Sequence, residues 1–405
     1  MENEKIKFPL LPFATIAIII GTIIFRVNEV APGSLLPVWQ GELNMDMGLA
    51  GGAVSTIYLV CALFCIVGGS LDKKIGLKNF YGLILLLTGA GALCSFISTS
   101  TAIFLVGRVL FAIGLGLSLP FFASAVMKWY SLRGQEYMNS ANALFPYAGM
   151  TIGYFFLVPI FEGTGSWRFA LGIWGVGIAV VLVVWMIFFK EPAEYLAMNK
   201  VTGEAIEKGV YADVIKRKEV LLLCVAFGGN FISFIVVAVF LPAFLGTIGD
   251  TSLALAAQLA IIFPATGALA CFVGGWLMSA TGRRKPLLIL GNIATGIGVI
   301  MAAVFVGTTL GLIGVALAGF SAAVWMPAMY QVIMELDNMT PTKAGVATGV
   351  ISAVGFVCGF IAPILAGGAV ESMGFVNVFI IAAIPAIIGG LVCLAIKETG
   401  PAANR

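Results

Sequence analysis

The sequence predicts an all-α membrane protein whose twelve transmembrane helices form two pseudo-symmetric six-helix bundles. Composition is the first reason: of 405 residues, 60% are hydrophobic and 10% are charged, and the mean hydropathy is +1.08. A soluble core cannot bury so large an apolar fraction, whereas each helix that crosses a bilayer takes up about 20 apolar residues. The other two reasons are a series of long apolar runs and a repeat of half the chain length.

The apolar runs are each long enough to cross a bilayer, and we number them segments one to twelve. They cover residues 10–37, 48–71, 79–98, 101–127, 138–161, 168–189, 219–246, 252–279, 286–307, 310–334, 344–370 and 375–396. Each run is apolar on all faces, so the sequence does not indicate which face contacts lipid. The 50 glycines suit the close helix–helix contacts that hold membrane bundles together.

The repeat consists of glycines that recur after 206 residues, half of the chain. The recurring pairs are Gly68 and Gly274, Gly69 and Gly275, Gly76 and Gly282, Gly149 and Gly355, and Gly153 and Gly359. We interpret the halves as two copies of one unit. The predicted domains are an N-terminal bundle over residues 1–190, a cytoplasmic linker over 191–217 that acts as a solvated tether, and a C-terminal bundle over 218–405.

The basic residues predict the orientation in the membrane. Of the 22 Lys and Arg residues, Arg26 and Arg108 lie inside apolar runs and Arg168 begins segment six. The remaining 19 lie at the N-terminus, in the even-numbered loops or at the C-terminus. The positive-inside rule therefore places both termini in the cytoplasm of a plasma membrane, a bacterial inner membrane. Segment one is too long for a signal peptide and should remain in the mature protein. The basic loops need no nucleic-acid partner.

Segment one carries the deepest charges. Arg26 and Glu29 are three residues apart, so they share a helix face. A charge at this depth costs at least ~3 kcal/mol, so it must face a cavity or a partner. Pro32-Gly33 should open the helix just beyond them. One interpretation is that Arg26 and Glu29 are polar groups lining a translocation path. The other is that they are a self-neutralising pair that only stabilises the bundle. The first is favoured because a buried ion pair stabilises poorly.

The loop after segment two resembles the signature loop of the major facilitator superfamily of secondary transporters. That signature places an acid, a basic residue, a glycine and further basic residues together, as in Asp72, Lys73, Gly76 and Lys78. In the second copy Ser279 stands where the acid would be. The resemblance implies the major facilitator fold, with helices one, four, seven and ten lining a central cavity. It also implies a cytoplasmic gate, and the candidate gate residues are Asp72, Lys73, Gly76, Arg133, Arg283 and Arg284.

Two further helices bear on this resemblance. Arg108 is followed by small residues and resembles the arginine of the family's fourth helix, which implies a role in proton coupling; the alternative is a buried arginine that bonds neighbouring carbonyls. In segment five, Pro146 follows Phe145, so the Gly-Pro step of the family's drug exporters is missing. That departure disfavours an efflux exchanger.

Candidate substrate-binding residues come from both halves. They are Arg26, Asn28, Tyr58, Asn142, Tyr147, Asn230, Gln258, Tyr330 and Gln331. The candidate proton-coupling residues are Glu29 and Arg108. The second half offers amide, hydroxyl and aromatic groups but no deep charge. Taken singly, each polar residue is more often a helix–helix hydrogen bond than a ligand.

Several kinds of chemistry are excluded. The sequence has no histidine, so it offers no histidine triad, zinc site or imidazole proton relay. It has no phosphate-binding Gly-rich loop ending in Lys and Ser or Thr, which disfavours ATP-driven pumping. Cys61 and Cys65 lie one turn apart and could suggest a metal pair, but no further ligand supports it, and packing is favoured. We predict no enzyme activity, no cofactor and no metal.

The sequence therefore predicts a monomeric secondary active transporter that moves a small, monocarboxylate-like organic anion by proton symport through alternating access. Arg26 offers a planar fork for a substrate carboxylate. Glu29 would compete for Arg26 when ionised and release Arg26 when protonated. Segment one and residues 334–341 are most similar to the cyanate, nitrate and organic-anion permeases. The alternatives are a proton-coupled efflux antiporter for hydrophobic compounds and a non-transporting sensor or scaffold. The latter is disfavoured because such proteins usually append a soluble domain.

Overall fold

The structure is a computed structural model that describes residues 9–67, 71–130, 132–191, 210–248, 251–339 and 341–400. Within these ranges the side chains at 31, 66, 67, 71–74, 123, 127, 132–137, 139, 140, 210, 211, 341, 342 and 345 fall outside the description. The predictions for Asp72, Lys73 and Arg133 therefore concern side chains outside the described residues.

The first half is built from six membrane-length segments. Segment one is the helix Leu11–Val30, the 3-10 turn Ala31–Leu35 and the helix Leu36–Glu42. Segments two to six are the helices Met47–Val67, Leu71–Leu93, Thr101–Trp129, Leu132–Thr164 and Trp167–Phe188, with a 3-10 turn Cys94–Ile97 after segment three. Segment one changes its helix type directly before Pro32, as expected from a proline that supplies no hydrogen bond to the preceding turn.

The second half begins with the short helix Val210–Ile215. Segment seven is Lys218–Gly246; segment eight is Leu253–Ala260 followed by Ile262–Thr281; segment nine is Lys285–Val304; and segment ten is Thr309–Val324 followed by Met326–Glu335. A helical stretch of 52 residues, Pro341–Val392, is broken at Gly374 (φ 77°, ψ 164°), and the 3-10 turn Cys393–Ala395 follows it. An unbroken helix of that length would measure about 78 Å, more than twice the hydrocarbon thickness. The two parts are therefore segments eleven and twelve.

This architecture confirms the predicted fold class of twelve membrane-spanning helices. The repeated glycines Gly76 and Gly282 both have positive φ, 75° and 63°. Glycine adopts positive φ without strain, and each residue lies where the chain turns between two helices. The repeat thus has a conformational reason at this position. The boundaries at 190 and 218 stay a prediction, but Val214 is fully buried in a cluster of second-half residues, so the end of the linker packs on the second bundle.

The loops are gathered at two opposite ends. At one, which we call the basic end, Arg217 donates to the carbonyl of Asp337 and Lys343 donates to Asp213 at 2.7 and 2.6 Å. At the other, which we call the far end, Thr101 donates to the carbonyl of Leu43. Arg168 there bonds Glu42 at 2.7 Å and the carbonyl of Ser98 at 2.8 Å. Because consecutive helices run in opposite directions, the even-numbered loops lie at the basic end and the odd-numbered loops lie at the far end.

The halves approach each other closely towards the far end. A Cβ at Gly51 would lie 2.6 Å from the carbonyl oxygen of Pro363, so only glycine lets segments two and eleven come this close. Ser55 donates to the carbonyl of Phe360 at 2.9 Å, and the backbone N–H of Met47 donates to Glu371 at 3.2 Å. Segments two and eleven therefore form one line of contact between the bundles, of the backbone-to-backbone kind that small residues permit in membranes.

A second glycine contact gives a prediction about stability. A Cβ added at Gly149 would overlap the Cβ of Arg26 and lie 2.6 Å from its carbonyl carbon. Gly149→Ala must therefore push segment five away from segment one and should lower the free energy of unfolding by about 1–3 kcal/mol. Thermal unfolding in detergent measures this. Gly163→Ala on the same helix is the control, because nothing lies within 4 Å of a Cβ there. Equal unfolding temperatures for the two variants would contradict the contact.

Candidate substrate and coupling site

Arg26, Glu29 and Tyr58 form a buried polar group in the middle of the bundle. The guanidinium of Arg26 donates to Glu29 Oε2 at 2.6 Å, and the Tyr58 hydroxyl donates to Glu29 Oε1 at 3.3 Å. The three residues are 7%, 7% and 2% exposed. Both carboxylate oxygens are thus bonded, one of them to a cation, which is the condition for burying a carboxylate.

The pair lies next to the second half of the chain. Tyr58 packs edge-on against the ring of Phe231 in segment seven, with centroids 5.3 Å apart, and stacks on Phe356 of segment eleven at 6.0 Å. One aromatic side chain therefore separates Glu29 from the other bundle. Arg26 Nε is buried and has no hydrogen-bond partner among the described residues, so the guanidinium retains an unused donor. A second acceptor, such as a substrate carboxylate, would satisfy it.

The α-helix is interrupted just beyond Glu29, and a backbone carbonyl at the interruption is hydrogen-bonded. After Val30 the helix becomes the 3-10 turn Ala31–Leu35, and the carbonyl of Pro32 accepts from Trp39 Nε1 at 3.0 Å. A Cβ at Gly33 would lie 2.6 Å from the carbonyl oxygen of Val239, so this turn packs directly against segment seven. The break predicted at Pro32-Gly33 is present, and it places segment one against the second bundle.

Arg108 lies beside the pair, and within the described part of the chain its hydrogen bonds go to backbone carbonyls. Its guanidinium donates to the carbonyls of Asn28 at 2.5 Å and Glu29 at 2.8 Å. It also donates to the carbonyls of Ala53 at 3.2 Å and Val54 at 2.8 Å. One buried cation thereby ties segment four to segments one and two at the level of Glu29. This is the structural arrangement considered from the sequence; a role in proton coupling stays a prediction.

Asn28 is not brought together with the pair. It follows Arg26 by two residues, about 200° around the helix, so it faces away from the second bundle. Its side chain is buried, its Nδ2 has no partner, and it lines a cavity of about 10 Å³ beside Arg108 and Ser95. That volume holds about one water molecule. The cavity lies inside the first bundle.

Three further candidate binding residues, Asn230, Gln331 and Gln258, lie in different parts of the second bundle. In the second bundle Asn230 donates to Thr295 Oγ1 at 3.2 Å, and Thr295 is in turn bonded to Ser321. This network joins segments seven, nine and ten and uses one N–H of the Asn230 amide. Gln331 donates to Glu335 at 2.9 Å near the basic end. Gln258 is exposed in the far-end part of segment eight.

Tyr147 lies at the contact between segments five and eight. Tyr147 is buried, and a Cβ at Gly267 would lie 2.5 Å from Cδ1 of its ring. Its ring packs edge-on against Phe234 at 5.9 Å. Tyr330 lies within electrostatic range of Tyr147, and Asn142 is half-buried on the same helix as Tyr147. Tyr147 therefore lies, like Tyr58, between the two bundles at mid-depth.

The basic turns are held by acids that the sequence analysis did not single out. Glu191 accepts hydrogen bonds from the backbone N–H groups of Leu77 and Lys78 at 3.0 and 3.4 Å. Glu398 accepts from those of Arg284 and Lys285 at 2.8 and 3.1 Å. Each acid follows a lysine. The acid and the two residues whose N–H groups it accepts from all recur after 207 residues. A repeated Lys-Glu at the ends of segments six and twelve was the signal available in the sequence.

Among the described gate candidates, Arg284 is buried and donates to Glu335 at 3.1 Å and to the carbonyl of Met278. Arg283 is exposed, and its backbone N–H donates to Thr281. These bonds lie within the second bundle, where they hold the turn after segment eight against segment ten. A gating role for these residues stays a prediction.

Glu191 gives a second prediction. Its carboxylate caps the helix that resumes after Gly76, where the unpaired N–H groups and the helix dipole favour an anion. Glu191→Ala should lower the free energy of unfolding by about 0.5–2 kcal/mol. Chemical denaturation in detergent measures this. Glu162→Ala, at an exposed position of the far end, is the matched control; a Glu191 variant no less stable than the control would rule out the cap.

Comparisons with known proteins agree with this architecture. A family model described as Major Facilitator Superfamily matches residues 18–361 and again 223–405. The plastidic glucose transporter 4 of Arabidopsis thaliana is 28% identical over 221 residues, which are 52% of this chain and only 38% of that protein. The structure of the xylose transporter XylE from E. coli, in a partially occluded inward-open conformation, superposes with a TM-score of 0.71 at 13% identity, covering 95% of this chain and 97% of that one. The chain is an integral membrane protein with a transporter fold, and it belongs to the major facilitator superfamily.

Proposed function

We propose that this chain moves a small monocarboxylate together with a proton, and that Arg26 and Glu29 are the two coupled sites. The observation that carries the proposal is the buried Arg26–Glu29 pair, one aromatic side chain away from the second bundle. A pair that served only packing would gain little, since burying two charges costs as much as their attraction returns. At an interface between bundles, the same pair can exchange partners.

Charge balance supplies the coupling. Without substrate, Arg26 is neutralised by ionised Glu29. When a proton neutralises Glu29, Arg26 can instead bind the carboxylate of the substrate, and the site is again neutral. Binding only one of the two would leave a net charge in a low-dielectric interior, which is strongly unfavourable. The empty and the fully loaded sites are therefore the two states that can change conformation, and transport should be electroneutral.

The groups around Glu29 are compatible with a switch of this kind. Arg26 and Tyr58 bond its two oxygens, and Arg108 donates to its backbone carbonyl at 2.8 Å. Arg108 is bonded to carbonyls alone, so it can remain in place while Arg26 exchanges partners. Alternating access would then consist of the two bundles rocking about this site.

The names of the similar proteins make a sugar the competing substrate. A sugar site needs several convergent polar groups, and the clearest amide in the middle of segment seven, Asn230, bonds within its own bundle. An efflux antiporter for hydrophobic compounds is the other alternative. We further propose a monomer in a bacterial inner membrane, with the basic end in the cytoplasm.

Reconstituted vesicles distinguish these possibilities. Uptake of labelled acetate is measured with the vesicle interior alkaline relative to the medium, and again with the gradient reversed and in the presence of a potassium diffusion potential. The proposal expects accumulation above the level of vesicles without protein, and this accumulation should follow the pH gradient, reverse with it and ignore the membrane potential. Glucose and xylose, at the same concentration, are expected to be neither transported nor competitive. Sugar uptake without carboxylate uptake would overturn the proposal.

A further inference from the structure

The second bundle meets the Arg26–Glu29 site with aromatic rings. Phe227, Phe231 and Phe234 of segment seven are spaced by four and three residues and lie along one face of the helix. Their centroids follow one another at 5.6 and 5.8 Å. Phe356 of segment eleven lies 5.9 Å from Phe231. We call these four side chains the phenylalanine wall.

The phenylalanine wall contacts the first bundle at two tyrosines, Tyr58 and Tyr147. Phe231 and Phe356 pack on Tyr58, whose hydroxyl bonds Glu29, and Phe234 packs on Tyr147 of segment five. When the bundles separate, the rings that part from Tyr58 and Tyr147 border the space next to Arg26. That space would have a guanidinium on the side of segment one and apolar ring faces opposite.

The rings are held in fixed positions by glycines of the repeat. A Cβ added at Gly355 would overlap the ring of Phe227, and one at Gly359 would lie 2.7 Å from Cδ1 of Phe231. Segment eleven therefore offers two glycine surfaces against which the rings of segment seven rest. A wall that is ordered in advance loses little entropy when it receives a ligand.

Polar groups near the wall are already bonded elsewhere. Asn230 bonds Thr295, and Ser233 donates to the carbonyl of Ala382 at 2.5 Å. Thr266 bonds the carbonyls of Ile262 and Phe263 in its own helix. These described side chains are therefore oriented by partners within the second bundle.

Resting on the proposed function, we infer that the preferred substrate is an aromatic monocarboxylate, whose carboxylate binds Arg26 and whose ring replaces Tyr58 in contact with Phe231 and Phe356. Benzoate has this form. The ring would retain the aromatic contacts that Tyr58 gives up, and the carboxylate would use the fork of Arg26. Acetate carries the same charge but leaves the wall without a partner.

The test compares benzoate, acetate and glucose as competitors of labelled benzoate and labelled acetate in counterflow. We expect benzoate to bind at least about tenfold more tightly than acetate. Phe231→Leu and Phe356→Leu should each reduce this ratio towards one, because they weaken benzoate binding more than acetate binding. Phe272→Leu is the control, because Phe272 is 58% exposed on segment eight and should keep the ratio.

The possible failures are distinguishable. Equal affinities for benzoate and acetate, or a ratio unchanged in both wall variants, would overturn the aromatic specificity and leave monocarboxylate transport standing. The same conclusion follows if acetate is transported and benzoate is excluded. If neither carboxylate is bound and glucose is, the proposed function and this inference fail together. Folding of each variant is checked by its elution as a monodisperse peak in detergent.

Discussion

Replacing Arg26 with alanine is expected to abolish monocarboxylate binding and to destabilise the protein. The substitution removes the proposed ligand of the carboxylate and leaves Glu29 buried without its cation. Removing one partner of a buried charge pair costs about 3–5 kcal/mol of folding free energy, and loss of a buried charged hydrogen bond costs about 2–5 kcal/mol of binding. Affinity should fall by about 30-fold or more. Binding by calorimetry and unfolding in detergent measure the two effects separately.

Two further variants separate binding from stability. Arg26→Lys keeps the charge but lacks the planar fork, so it should retain folding and recover binding only in small part. The double variant Arg26→Gln with Glu29→Gln removes both charges and should fold well. If Arg26 and Glu29 serve only each other, the double variant transports normally. If Arg26 binds the substrate, the double variant is stable and inactive. Wild-type affinity in a folded Arg26→Ala protein would rule out the anion site.

The contact between Arg26 and Glu29 could be predicted because it depends on local geometry alone. Residues three apart on a helix lie on one face, and a charge in the membrane requires a partner. By the same helical rotation, Asn28 lies on the opposite face of the helix from Arg26, and its role as a ligand stays a prediction. The turn at Gly76 and Gly282 could likewise be inferred, since the repeat retains glycine where φ is positive.

The other contacts depend on how helices distant in sequence pack. Nothing in the sequence near Arg108 indicates that it bonds the carbonyls of segments one and two. An arginine in a helix bundle could equally bond free carbonyls of any other helix that lies next to it. Tyr58 reaches Glu29 only through the crossing of segments one and two. Phe227, Phe231 and Phe234 did carry a signal, since their spacing marks one helix face. It was hidden because in an apolar segment every face is hydrophobic.

Replacing Glu29 with glutamine is expected to uncouple substrate from the proton. The amide resembles the protonated carboxyl in shape and lack of charge, so Arg26 is permanently available for the substrate. Binding and substrate counterflow should persist, whereas accumulation driven by a pH gradient should fall to the level of vesicles without protein. The loaded site stays neutral, but the empty site now carries the unpaired charge of Arg26, so return of the empty carrier should be slow. Net uptake should therefore be lost while exchange continues.

Counterflow and net uptake of labelled acetate, measured on one preparation, test this separation. Glu42→Gln is the matched control: Glu42 is on the same segment and is also paired with an arginine, Arg168 at 2.7 Å, but at the far end of the bundle. It should keep pH-driven accumulation. The pH dependence of binding gives a second readout, because wild-type affinity should rise as the medium is acidified and the Glu29→Gln affinity should not. A Glu29→Gln protein that still accumulates acetate against its gradient would show that the proton travels elsewhere.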